Sequence, residues 1–169
     1  MATSTLIQRL DGTALVTSST VPGGYDVVTT PDVSNRRQIE TFIAGATVVP
    51  GDWLQFDTSK SSGPEKVLTV IQASANGTGN PLVVGVCLGS AETTGALTVG
   101  SKINVIVGGL AEKANVANAV AAAGVALTVE AAGAGQAVAI TAADTGPACG
   151  VTLSAPVANV ANVWVYKQF

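Results

Sequence analysis

PLVVGVCLG (residues 81–89) and GSKINVIVGGL (residues 100–110) are the stretches on which the fold turns. Each is a run of Val, Ile and Leu punctuated by glycine. Branched side chains suit a pleated surface because two heavy atoms on Cβ restrict χ1. On the N-terminal side stand QIETFIAG (38–45), VVPGDWLQFDT (48–58) and KVLTVIQAS (66–74), the last followed by the hairpin-type loop ANGTGN (75–80). In the second of these, a Pro-Gly-Asp turn leads into Leu54 and Phe56 alternating with Trp53 and Gln55. On the C-terminal side come GVALTVEAAG (124–133), QAVAITAA (136–143), ACGVTLSA (148–155) and NVWVYKQF (162–169). Short strands separated by Gly or Asn predict a mainly β chain, a small barrel or sandwich. Two segments read two ways. Ile39, Phe42 and Ile43 would also suit a helical turn. AEKANVANAVAAAG (111–124) reads as a short helix or a wound loop, with Val116 and Val120 one turn apart.

Pieces of the sequence recur in order. Gly51-Asp52-Trp53-Leu54-Gln55-Phe56 has a counterpart in Gly124-Val125-Ala126-Leu127-Thr128-Val129, GVCLGSA from Gly85 in GVTLSAP from Gly150, and NVIV from Asn104 in NVWV from Asn162. The order suggests two similar halves, about 51–110 and 124–166; chance matching in a chain rich in Val, Ala and Gly is the alternative. Residues 1–35 differ from the rest. TLIQRL and TALVTS flank the turn dipeptide Asp11-Gly12, and Pro22-Gly23-Gly24 and Pro31 punctuate an extended path. This region reads as an extended N-terminal arm that gains order by lying on something else, or else as a floppy leader, ahead of a β-barrel domain at 36–169.

Composition narrows the function. Among 169 residues, 27 Ala, 25 Val, 19 Thr and 19 Gly make up more than half the chain. Aromatics are 4% and charged residues 11%, the latter under half the roughly 25% of an average domain. Histidine is absent, which removes the usual general base and the commonest nitrogen ligand for metals. Eight scattered Lys and Arg make no nucleic-acid surface, which needs clustered cations. No stretch reads as a membrane span, and MATSTLIQRLDG lacks the n- and h-regions of a secretory signal. Cys87 and Cys149 sit in apolar runs and read as small buried hydrophobes. The thin core that few aromatics allow favours membership of a larger assembly.

No catalytic site, cofactor or metal is expected. Ser59-Lys60 reads as a solvated loop pair rather than a nucleophile and its base. AAGAGQ lacks the remainder of a phosphate loop. Asp52 and Asp57, with Asp26 or Asp32, read as turn carboxylates without calcium-loop spacing. Asn76-Gly77-Thr78 needs only a turn explanation. The candidate contact residues are Arg36 and Arg37, the only basic doublet, together with Trp53, Trp164 and Tyr166. The doublet is either a plain surface pair or an electrostatic anchor on an acidic partner. Trp164 and Tyr166 share a strand face and are either core or contact anchors.

The stretch Pro50-Gly51-Asp52-Trp53-Leu54-Gln55-Phe56-Asp57, then Val83-Val84-Gly85-Val86-Cys87-Leu88, then Val105-Ile106-Val107-Gly108-Gly109-Leu110, resembles the capsid cement, or head decoration, proteins of tailed bacteriophages. A second unit at Gly150 to Leu153 and a closing strand at Val163 to Val165 extend the resemblance over roughly 46–166. The long N-terminal part and the Ala-rich insert at 114–123 depart from the pattern. The resemblance implies a β-barrel on the outer capsid surface of a virion, often a trimer, bridging major capsid protein subunits and stabilising the capsid. Synthesis in a host cytoplasm follows from it. Two other classes stay open: a tail or fibre subunit, recognised by ring or shaft assembly, and a β-sandwich module for sugar or a cell surface. The second would need an exposed aromatic platform, for which only Tyr25, Trp53, Trp164 and Tyr166 are available.

Overall fold

Unbroken apolar runs become strands covered on both faces, and alternating runs become strands covered on one. The computed structural model describes residues 37–74, 80–89, 95–129, 135–142, 144 and 146–169. Among them, one mixed sheet contains β1 (Arg37–Ala44), β2 (Trp53–Phe56), β3 (Thr69–Gln72), β4 (Val83–Gly89), β5 (Lys102–Asn115), β6 (Ala126–Val129), β7 (Ala137–Ala139), β8 (Gly150–Thr152) and β9 (Val160–Val165). The strand order is β1-β3-β2-β4-β5-β9-β8-β6-β7, and β1 also pairs with β5. The first five strands therefore close on themselves. A parallel bridge between Val116 and Ala137 brings β7 back to the end of β5, closing the second group likewise. β1 and β3 pair in parallel, whereas β2–β3, β2–β4, β4–β5, β5–β9, β6–β7, β6–β8 and β8–β9 pair antiparallel. The fold is mainly β, and the described residues hold one six-residue helix, α1 (Gly63–Leu68). The expected arm, 1–35, lies outside the described residues.

Two buried clusters account for the strand sequences. One gathers Leu54, Val70, Val84, Cys87, Val105 and Val107 inside the first five strands, under Phe42 and Ala44 of β1. The other gathers Trp53, Val83, Val86 and Ile106 against Leu127, Val129, Ala137, Val163 and Val165. Successive residues of β2 and β5 thus enter different clusters, as do those of β4 on either side of Gly85. The layer formed by β2, β4 and β5 is apolar on both faces at Trp53 and Leu54, Val83 to Cys87 and Val105 to Val107 because it serves two cores.

The registers of the two strand groups coincide. In one, Trp53 opposes Val86 and Leu54 opposes Gly85, while Val86 opposes Ile106 and Cys87 opposes Val105. In the other, Ala126 opposes Val151 and Leu127 opposes Gly150, while Val151 opposes Trp164 and Thr152 opposes Val163. β3 flanks β2 as β7 flanks β6, with Leu54 opposite Gln72 and Leu127 opposite Ala139.

Two segments differ from the sequence reading. Lys66, Val67 and Leu68 belong to α1, not to a strand. Ser62 caps that helix by accepting the Glu65 amide at 3.3 Å, and Pro64 sits in its first turn, both start signals for a helix. Conversely, Ala111 to Asn115 continue β5, because β9 supplies partners as far as Asn115. Val116 and Val120 are buried as expected for an apolar pair, in a turn-rich path and not a helix.

Tight turns set the strand ends. Asp52 N–H donates to Val49 O at 3.1 Å. With Pro50 second and Gly51 third, at φ +97°, the turn is type II. At the start of β9, Val157 and Val160 exchange both backbone hydrogen bonds across Ala158 and Asn159, whose φ values are 52° and 63°. Positive φ at both central residues is the type I′ signature, normally filled by Asn-Gly. Asn118 and Asn159 clamp the turn with reciprocal amide-to-side-chain bonds of 3.2 and 2.7 Å.

Two substitutions test this account. A methyl group at position 85 would lie 2.0 Å from the Ile106 carbonyl oxygen, a backbone atom that cannot step aside without parting β4 from β5. Gly85→Ala should cost more than about 3 kcal/mol and abolish the cooperative thermal transition followed by circular dichroism. Gly63→Ala, whose methyl meets open space, should melt like the parent. Ala158 bears the ~1 kcal/mol or more of a left-handed non-glycine residue. Ala158→Asn should raise Tm by roughly 2–4 °C.

Candidate contact surface

Period-two alternation along β9 buries Ala161, Val163 and Val165 and turns Val160, Asn162 and Trp164 outward. Trp164 is 39% exposed and Tyr166, just beyond the strand, 40%. Both therefore stand on the surface, on the same side of β9. Cross-strand pairing extends a row from Trp164 in both directions. Leu110 of β5 and Val151 of β8 oppose it directly, and Ala126 of β6 opposes Val151. Ile140, whose amide donates to Ala126 O at 2.9 Å, continues the row. Leu110, Ala126, Ile140 and Val151 are half-buried. The sequence reading missed these four. The signal that finds them is the duplicated register, which places Val151 opposite both Trp164 and Ala126.

The other candidates separate. Trp53 is fully enclosed, with Cη2 packed where a methyl on Gly150 would lie 3.1 Å away. The structure thus corrects its assignment as a contact residue: it is core, joining β2 to β8. Its size explains this, since a chain with few aromatics spends its largest side chain filling the space between two strand layers. Arg37 begins β1 and is half-buried. Arg36 lies outside the described residues.

The polar groups of the turns are occupied structurally. Asp57 accepts the Ser59 hydroxyl at 2.6 Å and the Ser59 amide at 3.0 Å, and pairs with Lys60 at 3.6 Å. The Ser59 hydroxyl does most to hold the Asp57 carboxyl below its ordinary value of 3.8, against the opposing effect of burial and with help from the Ser59 amide and Lys60. Since the folded value is depressed, this contribution is complete above the ordinary value and is lost as pH falls through the lower folded one. Asp52 accepts from Val49 N at 2.9 Å and Gln72 Nε2 at 2.6 Å, pinning the type II turn to β3. No three of His, Cys, Asp and Glu converge as a metal site among the described residues. Asp26, Asp32 and Asn76 lie outside them. A shallow, open pocket lies between Glu40, Phe42, Phe56, Lys167 and Phe169. No helix among the described residues is long and apolar enough to cross a membrane.

No protein-family model matches the chain, and no curated protein sequence does so. Among solved structures, a chain from the capsid of Myoviridae Phage XM1 is similar in fold, with a TM-score of 0.54. The alignment covers 88% of this chain and 92% of that one at 19% sequence identity. At that identity the likeness is one of fold.

Cys87 and Cys149 are buried and unpaired, one in each core. Burial pushes the Cys87 thiol up to about 11 and the Cys149 thiol up to about 12. The thiolate is the reactive form, so native protein at pH 8 should release little chromophore from an aromatic disulfide reagent. Addition of guanidinium should release two equivalents per chain. Rapid native labelling would contradict this placement.

Proposed function

We propose that this chain is a structural, non-catalytic virion protein that decorates the outer surface of a tailed-phage capsid. It acts as a cement protein: it bridges major capsid protein subunits, stabilises the shell and works as a homotrimer. The carrying observation is the fold likeness to a phage-capsid chain across nearly the whole of both molecules. The short motifs at 50–57, 83–88 and 105–110 lean the same way. The contact residues proposed are Arg36, Arg37, Trp164 and Tyr166, and residues 1–35 form an arm that adds contacts. Shallow individual contacts suffice in this role, because simultaneous engagement of several subunits raises the effective concentration of each. An arm that orders on a neighbour's strand edge would add main-chain hydrogen bonds to that sum.

Copy number tests the reading. Quantitative mass spectrometry of particles from the chain's own source, normalised to the major shell protein, should give one copy per shell subunit or a simple fraction of it. A few copies to a few tens per particle would assign it to tail or fibre. Absence from the particle would overturn the virion role and return the β-sandwich binding module.

A further inference from the structure

β9 ends at Val165, and residues 166–169 beyond it are held by both strand groups in turn. Tyr166 N donates to Cys149 O at 2.9 Å and Gln168 Nε2 donates to Ala148 O at 2.8 Å, both at the start of β8 in the second group. Lys167 and Phe169 turn to the first group. Lys167 Nζ donates to Gln38 Oε1 of β1 at 3.1 Å. Its Cβ lies 3.5 Å from where a methyl on Gly108 would stand. The Phe169 and Phe56 rings meet edge to face, with centroids 4.9 Å apart and planes at 67°. Phe56 meets Phe42 of β1 in the same manner, at 6.2 Å and 64°.

What this tail grips is the beginning of β1. β3 pairs with β1 at Ile43 and Ala44, the end away from Arg37. Gln38 is the second residue of the strand, and residues 1–36 join it through Arg37. A strand end is where a sheet opens locally, and terminal segments order only where they are tied down. We propose that residues 166–169 are a strap that pins the first half of β1 to the sheet and fixes the point from which residues 1–36 depart. Gln38, Glu40 and Phe42 share one face of β1 by alternation. Lys167 takes the first of them, and Phe169 reaches the third through Phe56. Gln38 is set for this grip, because its amide nitrogen donates to Glu40 Oε1 at 3.1 Å and leaves its oxygen to Lys167. A pull on the departing chain must therefore break the strap's contacts together with the first backbone bonds of β1, instead of parting those bonds one at a time.

Amide hydrogen exchange of the full chain, read by mass spectrometry, tests the strap. Peptides covering Gln38 to Phe42 should be protected in the parent. Phe169→Ser should speed their exchange by about tenfold, as loss of an aromatic edge contact implies, and leave peptides covering β6 and β8 at the parent rate. Lys167→Ala removes an exposed side chain and should speed the same β1 peptides by about threefold, which gives a second reading should Phe169→Ser fail to fold. Val157→Ser, at an exposed residue of the turn before β9, should leave β1 at the parent rate. Unprotected β1 amides in the parent, a folded Phe169→Ser or a Lys167→Ala variant that exchanges as the parent does, or equal acceleration in β6 and β8 would each overturn the strap. No capsid enters the measurement, so such a result leaves the decoration reading standing.

Discussion

The architecture depends on one strand serving two cores. β5 runs from Lys102 to Asn115, long enough to pair with β4 at its start and with β9 beyond Gly109. It manages this by breaking register between Ala111 and Ala114, where Lys113 takes a φ of 58°. A bulge bends a strand and strengthens its twist, and here the bend lies where the strand passes from one group to the other. The turn at Pro50-Gly51 is fitted against it. A methyl on Gly51 would sit 2.6 Å from the Lys113 carbonyl oxygen, and Asn115 N donates to Gly51 O at 2.8 Å. Three further backbone bonds, Trp53 N to Gly135 O, Gly135 N to Ala73 O and Ala73 N to Trp53 O, tie the approach to β7 to the start of β2 and the end of β3.

This layout explains which parts of the sequence could be read. Strand content was legible because Val-rich runs bounded by Gly have few other uses, and the Pro-Gly-Asp turn was legible because its residues match its dihedral angles. The strand status of Ala111 to Asn115 was not. Alanine favours helix in isolation, and only β9, some fifty residues later in the chain, overrides that preference. α1 was hidden in a β-branched run, although Ser62 and Pro64 are ordinary helix-start residues.

The candidate surface was half legible. Trp164 and Tyr166 share a face by simple alternation, but whether that face looks inward depends on strands 8 and 6, whose own residues are small. Trp53 illustrates the converse. It reads as a contact residue when aromatics are scarce, yet scarcity is also why it fills the join between layers. The polar groups Asp52, Asp57 and Asn159 each hold a turn or loop.

The shared layer also imposes an order of events on folding. The first group closes on itself using residues between Arg37 and Val107, all of which leave the ribosome before β6 begins. The second group has no such independence, because Trp53, Val83, Val86 and Ile106 form one wall of its core. Its strands can bury their inner face only on a surface that already exists. Synthesis from the N-terminus supplies that surface first. The long-range pairing of β5 with β9, ordinarily slow because of the loop it must close, then takes place against a finished template.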